Sequence, residues 1–127
     1  MPQMIWIAAG AVFGATARYG VGQWAARLLG TGFPYGTLIV NIAGSFLLGL
    51  LVILTTERLA VSTEVRLMLT VGFLGAFTTF SSFSVETLFL LRDGSIGSAL
   101  INVLANNAVG LLAAYSGLTV ARWLVSF

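Results

Sequence analysis

The 127-residue chain contains no cysteine, no histidine and no lysine. Without cysteine there is no disulfide, no thiolate metal ligand and no thiol nucleophile. Without histidine there is no imidazole to act as base, proton shuttle or metal ligand, which removes any Ser/His hydrolase. Charge is scarce too: Asp, Glu, Lys and Arg together make up 8% of the residues, against about 25% in an average soluble domain. The pI of about 9.7 rests on six arginines against four acids. They are scattered along the chain, so the basic patch that a nucleic-acid partner needs is missing.

Apolar residues fill the space that charge leaves. They are 58% of the chain and the mean hydropathy is +1.01, values that belong to an integral membrane protein. At about 20 residues per helical crossing, the chain holds four spans and no soluble domain. The expected fold is therefore all-α, one transmembrane domain over residues 1–127, with spans at about 5–29, 37–56, 66–91 and 96–125. The opening stretch MPQMIWIAAGAVFG has no positive n-region and its apolar run outlasts a signal-peptide h-region, so it is expected to remain as the first span.

In the first span Arg18 is the one charge well inside, and Gly10 with Gly14 forms a GxxxG that lets another helix approach closely. Gly30-Thr-Gly-Phe-Pro-Tyr-Gly36 ends one helix and opens the next. Asn41 is the strongly polar side chain of span two. Glu57, Arg58, Glu64 and Arg66 form the most charged stretch, read as a solvated loop. Span four carries Asn102, Asn106 and Asn107, then small residues at Gly110, Ala113, Ala114 and Gly117. No internal repeat is evident, so an inverted repeat within one chain is unsupported.

Orientation is nearly undecided. Four spans put Arg58, Arg66 and Arg122 on one side and Arg27 and Arg92 on the other, a weak bias for a rule that depends on clear Lys/Arg asymmetry. Such a chain can insert both ways. Two copies could then pair antiparallel and supply by assembly the inverted symmetry that larger transporters build from repeats. A fixed orientation, set by the small excess and the N-terminal amine, is the alternative.

The segment GAFTTFSSFSVE, residues 75–86, is where function is expected. Hydroxyls at Thr78, Thr79, Ser81, Ser82 and Ser84 and the carboxylate of Glu86 must face protein, ion or water at membrane depth. On a helix, Phe80 and Phe83 line up with Thr87 in one stripe, and Thr79, Ser82 and Glu86 in an adjacent polar one. Single hydroxyls in a span can bond back to a carbonyl one turn earlier, but so many in one stretch favour a polar pathway or ion site over packing. Aromatic edges attract anions and faces attract cations, so either sign of ion is open on these residues. The amides of Asn41, Asn102 and Asn106 offer N–H groups suited to an anion, and carbonyl oxygens as well. Gly75 permits a broken helix near 75–79 whose freed carbonyls could hold a cation such as Na⁺; a kink or close helix contact is the plainer reading. Glu86 is costly at depth unless paired or protonated, with Arg18 as its candidate partner.

GAFTTFSSFS, together with GTLIVNIAG at residues 36–44, resembles the Fluc or CrcB family of bacterial fluoride channels. The resemblance covers the whole chain, in length, span number and motif order. It implies a passive, fluoride-selective channel rather than an enzyme, located in the bacterial inner membrane and built as an antiparallel, dual-topology homodimer with two anion pathways. Phe80 and Phe83 then match the paired phenylalanines along which fluoride passes, and Asn41 the pore asparagine. Gly75 and Thr78 match the positions whose carbonyls hold a structural, non-transported Na⁺. Thr79, Ser81, Ser82 and Glu86 fall on the polar track. Asn102 and Asn106 stand where some relatives have tyrosine or serine.

Two rivals stand beside this reading. A small proton-coupled multidrug exporter has similar size and assembly, but relies on a first-span carboxylate that this chain lacks, so Glu86 would have to serve. A non-conducting assembly subunit would need only the GxxxG and the small residues of span four, and would leave the hydroxyls of span three unexplained.

Overall fold

The computed structural model describes residues 2–127, and among them every regular element is helical. Four helices are long and apolar enough to cross a membrane: α1 (Pro2–Leu29), α2 (Tyr35–Arg58), α3 (Thr63–Arg92) and α4 (Ile96–Val125). The α1 helix ends at Gly30, whose φ of 85° is the left-handed conformation that glycine adopts without strain.

The charged stretch is less of a loop than its composition suggests. Helix α2 continues to Arg58 by widening into π turns over Leu54–Arg58, and α3 begins at Thr63. Glu57, Arg58, Glu64 and Arg66 are thus helix ends, and only residues 59–62 connect them. The cause is local: the Ser62 hydroxyl accepts the Val65 N–H at 3.2 Å and caps α3, while Glu64 lies in the first turn, where the helix dipole favours an anion.

Lipid tails are as apolar as leucine, so helix association in a bilayer depends on close packing. Here glycines provide it. A Cβ on Gly10 would meet the Met68 carbonyl oxygen and one on Gly14 the Phe73 carbonyl oxygen, so the GxxxG of α1 seats backbone against the first half of α3. The α2–α4 pair repeats the device, with Gly117 of α4 against the Phe46 carbonyl and Gly49 of α2 against that of Ala114. Between the pairs Val40, Leu74 and Phe77 form the buried core, packed by Ala17, Val21, Ala43, Leu51 and Phe73. Gly44 faces the methyl of Thr78 and the ring of Phe77 so closely that no side chain fits, which brings α2 directly against the motif segment. Elsewhere the helices turn apolar side chains outward, among them Phe13, Tyr19, Leu111 and Trp123.

Candidate ion pathway

Helix α3 is interrupted where its hydroxyls begin. Thr78 (φ −85°, ψ 160°) and Thr79 (φ −153°, ψ 120°) are extended, between a helical segment ending at Phe77 and a second one, Phe80–Arg92. Gly75 is itself helical, at φ −61° and ψ −37°, so the glycine is not where the chain unwinds. The adjacent threonines are: β-branched side chains favour extended backbone, and the Thr79 hydroxyl caps the second segment by accepting the Ser82 N–H at 3.1 Å. The stripe expected from Thr79, Ser82 and Glu86 is corrected by this geometry, since Thr79 precedes the helix that carries the other two.

The interruption redirects backbone hydrogen bonds. In an unbroken helix the Gly75 carbonyl would accept from Thr79 and the Thr78 carbonyl from Ser82. Instead the Thr79 N–H donates to Asn41 Oδ1 at 2.8 Å and the Ser82 N–H goes to the Thr79 hydroxyl. Both carbonyls lose their helical donors. The Ala76 carbonyl is served from another helix, by Arg18 Nε at 3.0 Å. Arg18 is therefore not the partner of Glu86, and the ion pair expected between them is not formed; among the described residues the one ion pair is the exposed Arg92–Asp93. The Arg18 guanidinium thus gives the Ala76 carbonyl at the broken helix end a charge-assisted donor without placing two charges together in the bilayer.

From Asn41 a chain of side-chain hydrogen bonds runs through three helices. Asn41 Nδ2 donates to the Thr79 carbonyl at 3.0 Å and to Asn106 Oδ1 at 2.9 Å. Asn106 Nδ2 donates to Asn102 Oδ1 and to the Asn102 carbonyl, each at 2.9 Å. Asn102, wholly buried, donates from Nδ2 to the Thr87 hydroxyl at 2.9 Å, and that hydroxyl donates to the Phe83 carbonyl at 2.7 Å. Asn106 belongs to a π-helical stretch of α4, Ala105–Val109. Such wide turns often occur at functional sites.

The relay begins at the break and ends under the aromatic pair. Phe80 and Phe83 have ring centroids 5.5 Å apart, tilted by 58°, within the range of separations that aromatic pairs adopt. Phe83 is buried at 8% exposure, whereas Phe80 is 76% exposed on the single chain. An open cleft of ≈ 310 Å³ is lined by Asn41, Ser45, Gly75, Thr78, Thr79, Phe80, Phe83 and Asn106, among others. Asn102 is sealed behind it. Ser81 is exposed, its hydroxyl 3.4 Å from that of Thr79, and Ser82 is half-buried. The Thr78 hydroxyl bonds back to the Leu74 carbonyl at 3.0 Å, leaving its own carbonyl as the group available to a ligand.

Glu86 is not part of this cleft. It lines a second one of ≈ 490 Å³ with Gly36, Thr37, Phe89, Asp93 and Ser95, and its Oε1 is buried without a hydrogen-bond partner. Thr87, which its spacing sets on the phenylalanine stripe, joins the relay through its hydroxyl; four residues after Phe83 is the spacing at which a hydroxyl bonds back to a carbonyl.

Four helical spans, an interrupted third helix and an amide relay beside paired aromatic rings define a small multi-pass membrane protein with polar groups lined up at bilayer depth. A family model described as CrcB-like protein, Camphor Resistance (CrcB), matches residues 5–118. The chain belongs to the CrcB family. It is 49% identical over 120 residues, 94% of this chain and 98% of the relative, to a protein of Magnetococcus marinus named fluoride-specific ion channel FluC. Proteins of the same name from Agrobacterium fabrum and Roseiflexus are 48% and 47% identical, over 91% and 94% of this chain and 93% and 96% of their own lengths. The family is one of ion channels and not of enzymes. The exporter reading, which depended on Glu86, is not favoured by these relatives.

Proposed function

We propose that the chain is a fluoride-selective passive channel of the bacterial inner membrane, which lowers fluoride toxicity by letting the ion leak out down its gradient. The observation that supports it most directly is the amide relay from Thr79 to Phe83 alongside the Phe80–Phe83 pair. Fluoride is small and strongly hydrated, so a selective pore must replace its lost water with hydrogen-bond donors and positive ring edges while staying too narrow for larger halides. Hydroxyls and phenyl edges can meet that need without a full positive charge, which would bind too tightly for release, while the amide protons of Asn41 and Asn106 are spent within the relay and hold its shape. Asn41, Phe80 and Phe83 line the proposed path, with Thr79, Ser81, Ser82 and Asn106 beside it. Asn102 supports from behind, and Glu86 lies in the separate second cleft rather than on this path.

The working unit in this proposal is an antiparallel, dual-topology homodimer with two pathways. The near-balanced arginines and the exposed Phe80 favour it, because a pathway residue left bare on one chain needs a second copy to enclose it. A structural, non-transported Na⁺ is proposed at the Gly75 and Thr78 carbonyls of both copies. These carbonyls have lost their helical donors and belong to residues that line the cleft, and carbonyl oxygens are the ligand type that a hard cation takes. Among the described residues no cluster of acidic side chains offers an alternative.

The purified protein in liposomes should release fluoride rapidly and chloride hardly at all, with no proton gradient imposed. Equal fluxes of the two halides would end the selectivity claim, and fluoride movement that requires a proton gradient would return the exporter reading.

A further inference from the structure

We propose that Ser45 contacts the permeating anion, its hydroxyl donating a hydrogen bond to the ion within the ≈ 310 Å³ cleft. That the ion is fluoride rests on the channel reading above; that the hydroxyl meets an anion rests on the cleft itself. Most side-chain donors lining the cleft are already committed. Asn41 uses both amide protons, on the Thr79 carbonyl and on Asn106 Oδ1, and Asn106 Nδ2 has two acceptors on Asn102. The Thr70 hydroxyl donates to the Arg66 carbonyl at 2.8 Å and the Thr78 hydroxyl to the Leu74 carbonyl at 3.0 Å. The Thr79 hydroxyl receives the Ser82 N–H and lies 3.4 Å from Ser81 Oγ. Asn107, exposed, spends one amide proton on the Val103 carbonyl and keeps the other. Ser45 is half-buried and its O–H is uncommitted: unlike Thr70 and Thr78 it does not bond back to the carbonyl four residues earlier, and it finds no other acceptor among the described residues.

Place, charge and chemistry direct that proton at an anion. Ser45 is near the middle of α2 (Tyr35–Arg58) and four residues after Asn41, so it lies on the same helix face one turn further along. Its Oγ sits by Gly110 of α4, where an added Cβ would come to 4.0 Å from it. Gly110 in turn follows by four residues the Asn106 that Asn41 holds. Ser45 therefore extends the polar face of the relay by one turn, in a cleft that Phe80 and Phe83 also line. No Asp or Glu lines this cleft, Glu86 being in the other one, so no carboxylate there repels an anion. A hydroxyl at bilayer depth needs a partner, and in an open cleft that partner is water or the ion that displaces it. One neutral O–H gives the weak contact that conduction requires of each site.

The test has two readouts. Protein labelled with ¹³C at serine Cβ is titrated with sodium fluoride, replacing sodium gluconate at constant sodium, and fluoride efflux from liposomes is measured beside it. The Ser45 resonance, identified by its absence from Ser45→Ala, should shift saturably as fluoride replaces gluconate. That of Ser116, exposed on α4 and outside the cleft, should stay still. Ser45→Ala should raise the fluoride concentration for half-maximal efflux about tenfold, the effect of losing one hydrogen bond to a charged group. Its melting temperature should be unchanged, because Ser45 Oγ gives up no bond within the chain, and Ser116→Ala should leave efflux as it is. A Ser45 resonance indifferent to fluoride overturns the proposal, as does a Ser45→Ala protein with unaltered half-saturation. A Ser45→Ala protein that melts lower or fails to fold would make the role structural and overturn it equally. If the unmodified chain passed no fluoride, the channel reading would fall, while the titration would still decide whether Ser45 meets an anion.

Discussion

Asn41 brackets Thr79 from a neighbouring helix: its Oδ1 accepts the Thr79 N–H at 2.8 Å and its Nδ2 donates to the Thr79 carbonyl at 3.0 Å. One side chain thus does for an extended residue at membrane depth what the helix ladder does for its neighbours. The same nitrogen also reaches Asn106. Asn41 therefore joins two tasks, holding the break open and starting the relay.

Asn41→Asp separates the tasks from mere size. Aspartate can still accept from Thr79, but it donates to neither the Thr79 carbonyl nor Asn106, and it adds a negative charge beside the proposed anion path. Fluoride efflux should fall sharply, because the Thr79 carbonyl and Asn106 both lose their donor and a negative charge faces the anion. Unchanged efflux from a correctly folded variant would remove Asn41 from the pathway.

The two phenylalanines should respond differently to the same change. Phe83 is 8% exposed and Phe80 76%. Phe83→Ile is expected to lower both flux and the thermal stability of the detergent-solubilised protein, by on the order of 1 kcal/mol for a volume-altering core change. Phe80→Ile should lower flux with little effect within a single subunit. If the proposed dimer covers Phe80, the stability loss of Phe80→Ile should depend on protein concentration. Fluoride flux unaffected by either substitution would detach the aromatic pair from permeation.

The fold was legible in the sequence to the level of four spans because apolar length and helix-ending glycines are local signals: Gly30 ends α1 where its spacing predicts. That the hydroxyls of residues 78–87 must find partners was legible too, since hydroxyls in an apolar run cannot be indifferent to their surroundings. What the sequence withheld depends on partners distant along the chain. Arg18 has one carboxylate within a span to choose by charge, yet it takes the Ala76 carbonyl, which becomes available only because Thr78 and Thr79 are extended. Gly75 looked like the weak point of α3, whereas the threonines that follow it carry the break. Thr87 continues the phenylalanine stripe by spacing, and only the fold brings Asn102, fifteen residues on, to give its hydroxyl a second partner.

Gly14 offers a test of the packing half of this account. A side chain there would run into the Phe73 carbonyl, and backbone cannot step aside as a flexible side chain can. Gly14→Val should destabilise the protein by about 3 kcal/mol or more, at the upper end of overpacking costs, and reduce the yield of folded protein. Gly97→Val is the matched control, because a Cβ there meets nothing within 4 Å. Equal melting behaviour of the two variants would mean that α1 and α3 do not approach as closely as described.

Absence of cysteine makes the orientation question directly measurable, since any thiol introduced is the only one. Thr31 and Ala60 are exposed and lie in the α1–α2 and α2–α3 connections, which a four-span chain puts on opposite sides of the bilayer. With three arginines against two flanking the spans and no lysine, the bias that normally selects one orientation is nearly cancelled. Thr31→Cys and Ala60→Cys, expressed separately, should each react with a membrane-impermeant maleimide on intact cells to about half of the extent reached after lysis, as equal insertion in both directions requires. Full labelling of one and none of the other would establish a single orientation, and the antiparallel dimer would then have to be abandoned even if fluoride conduction were retained.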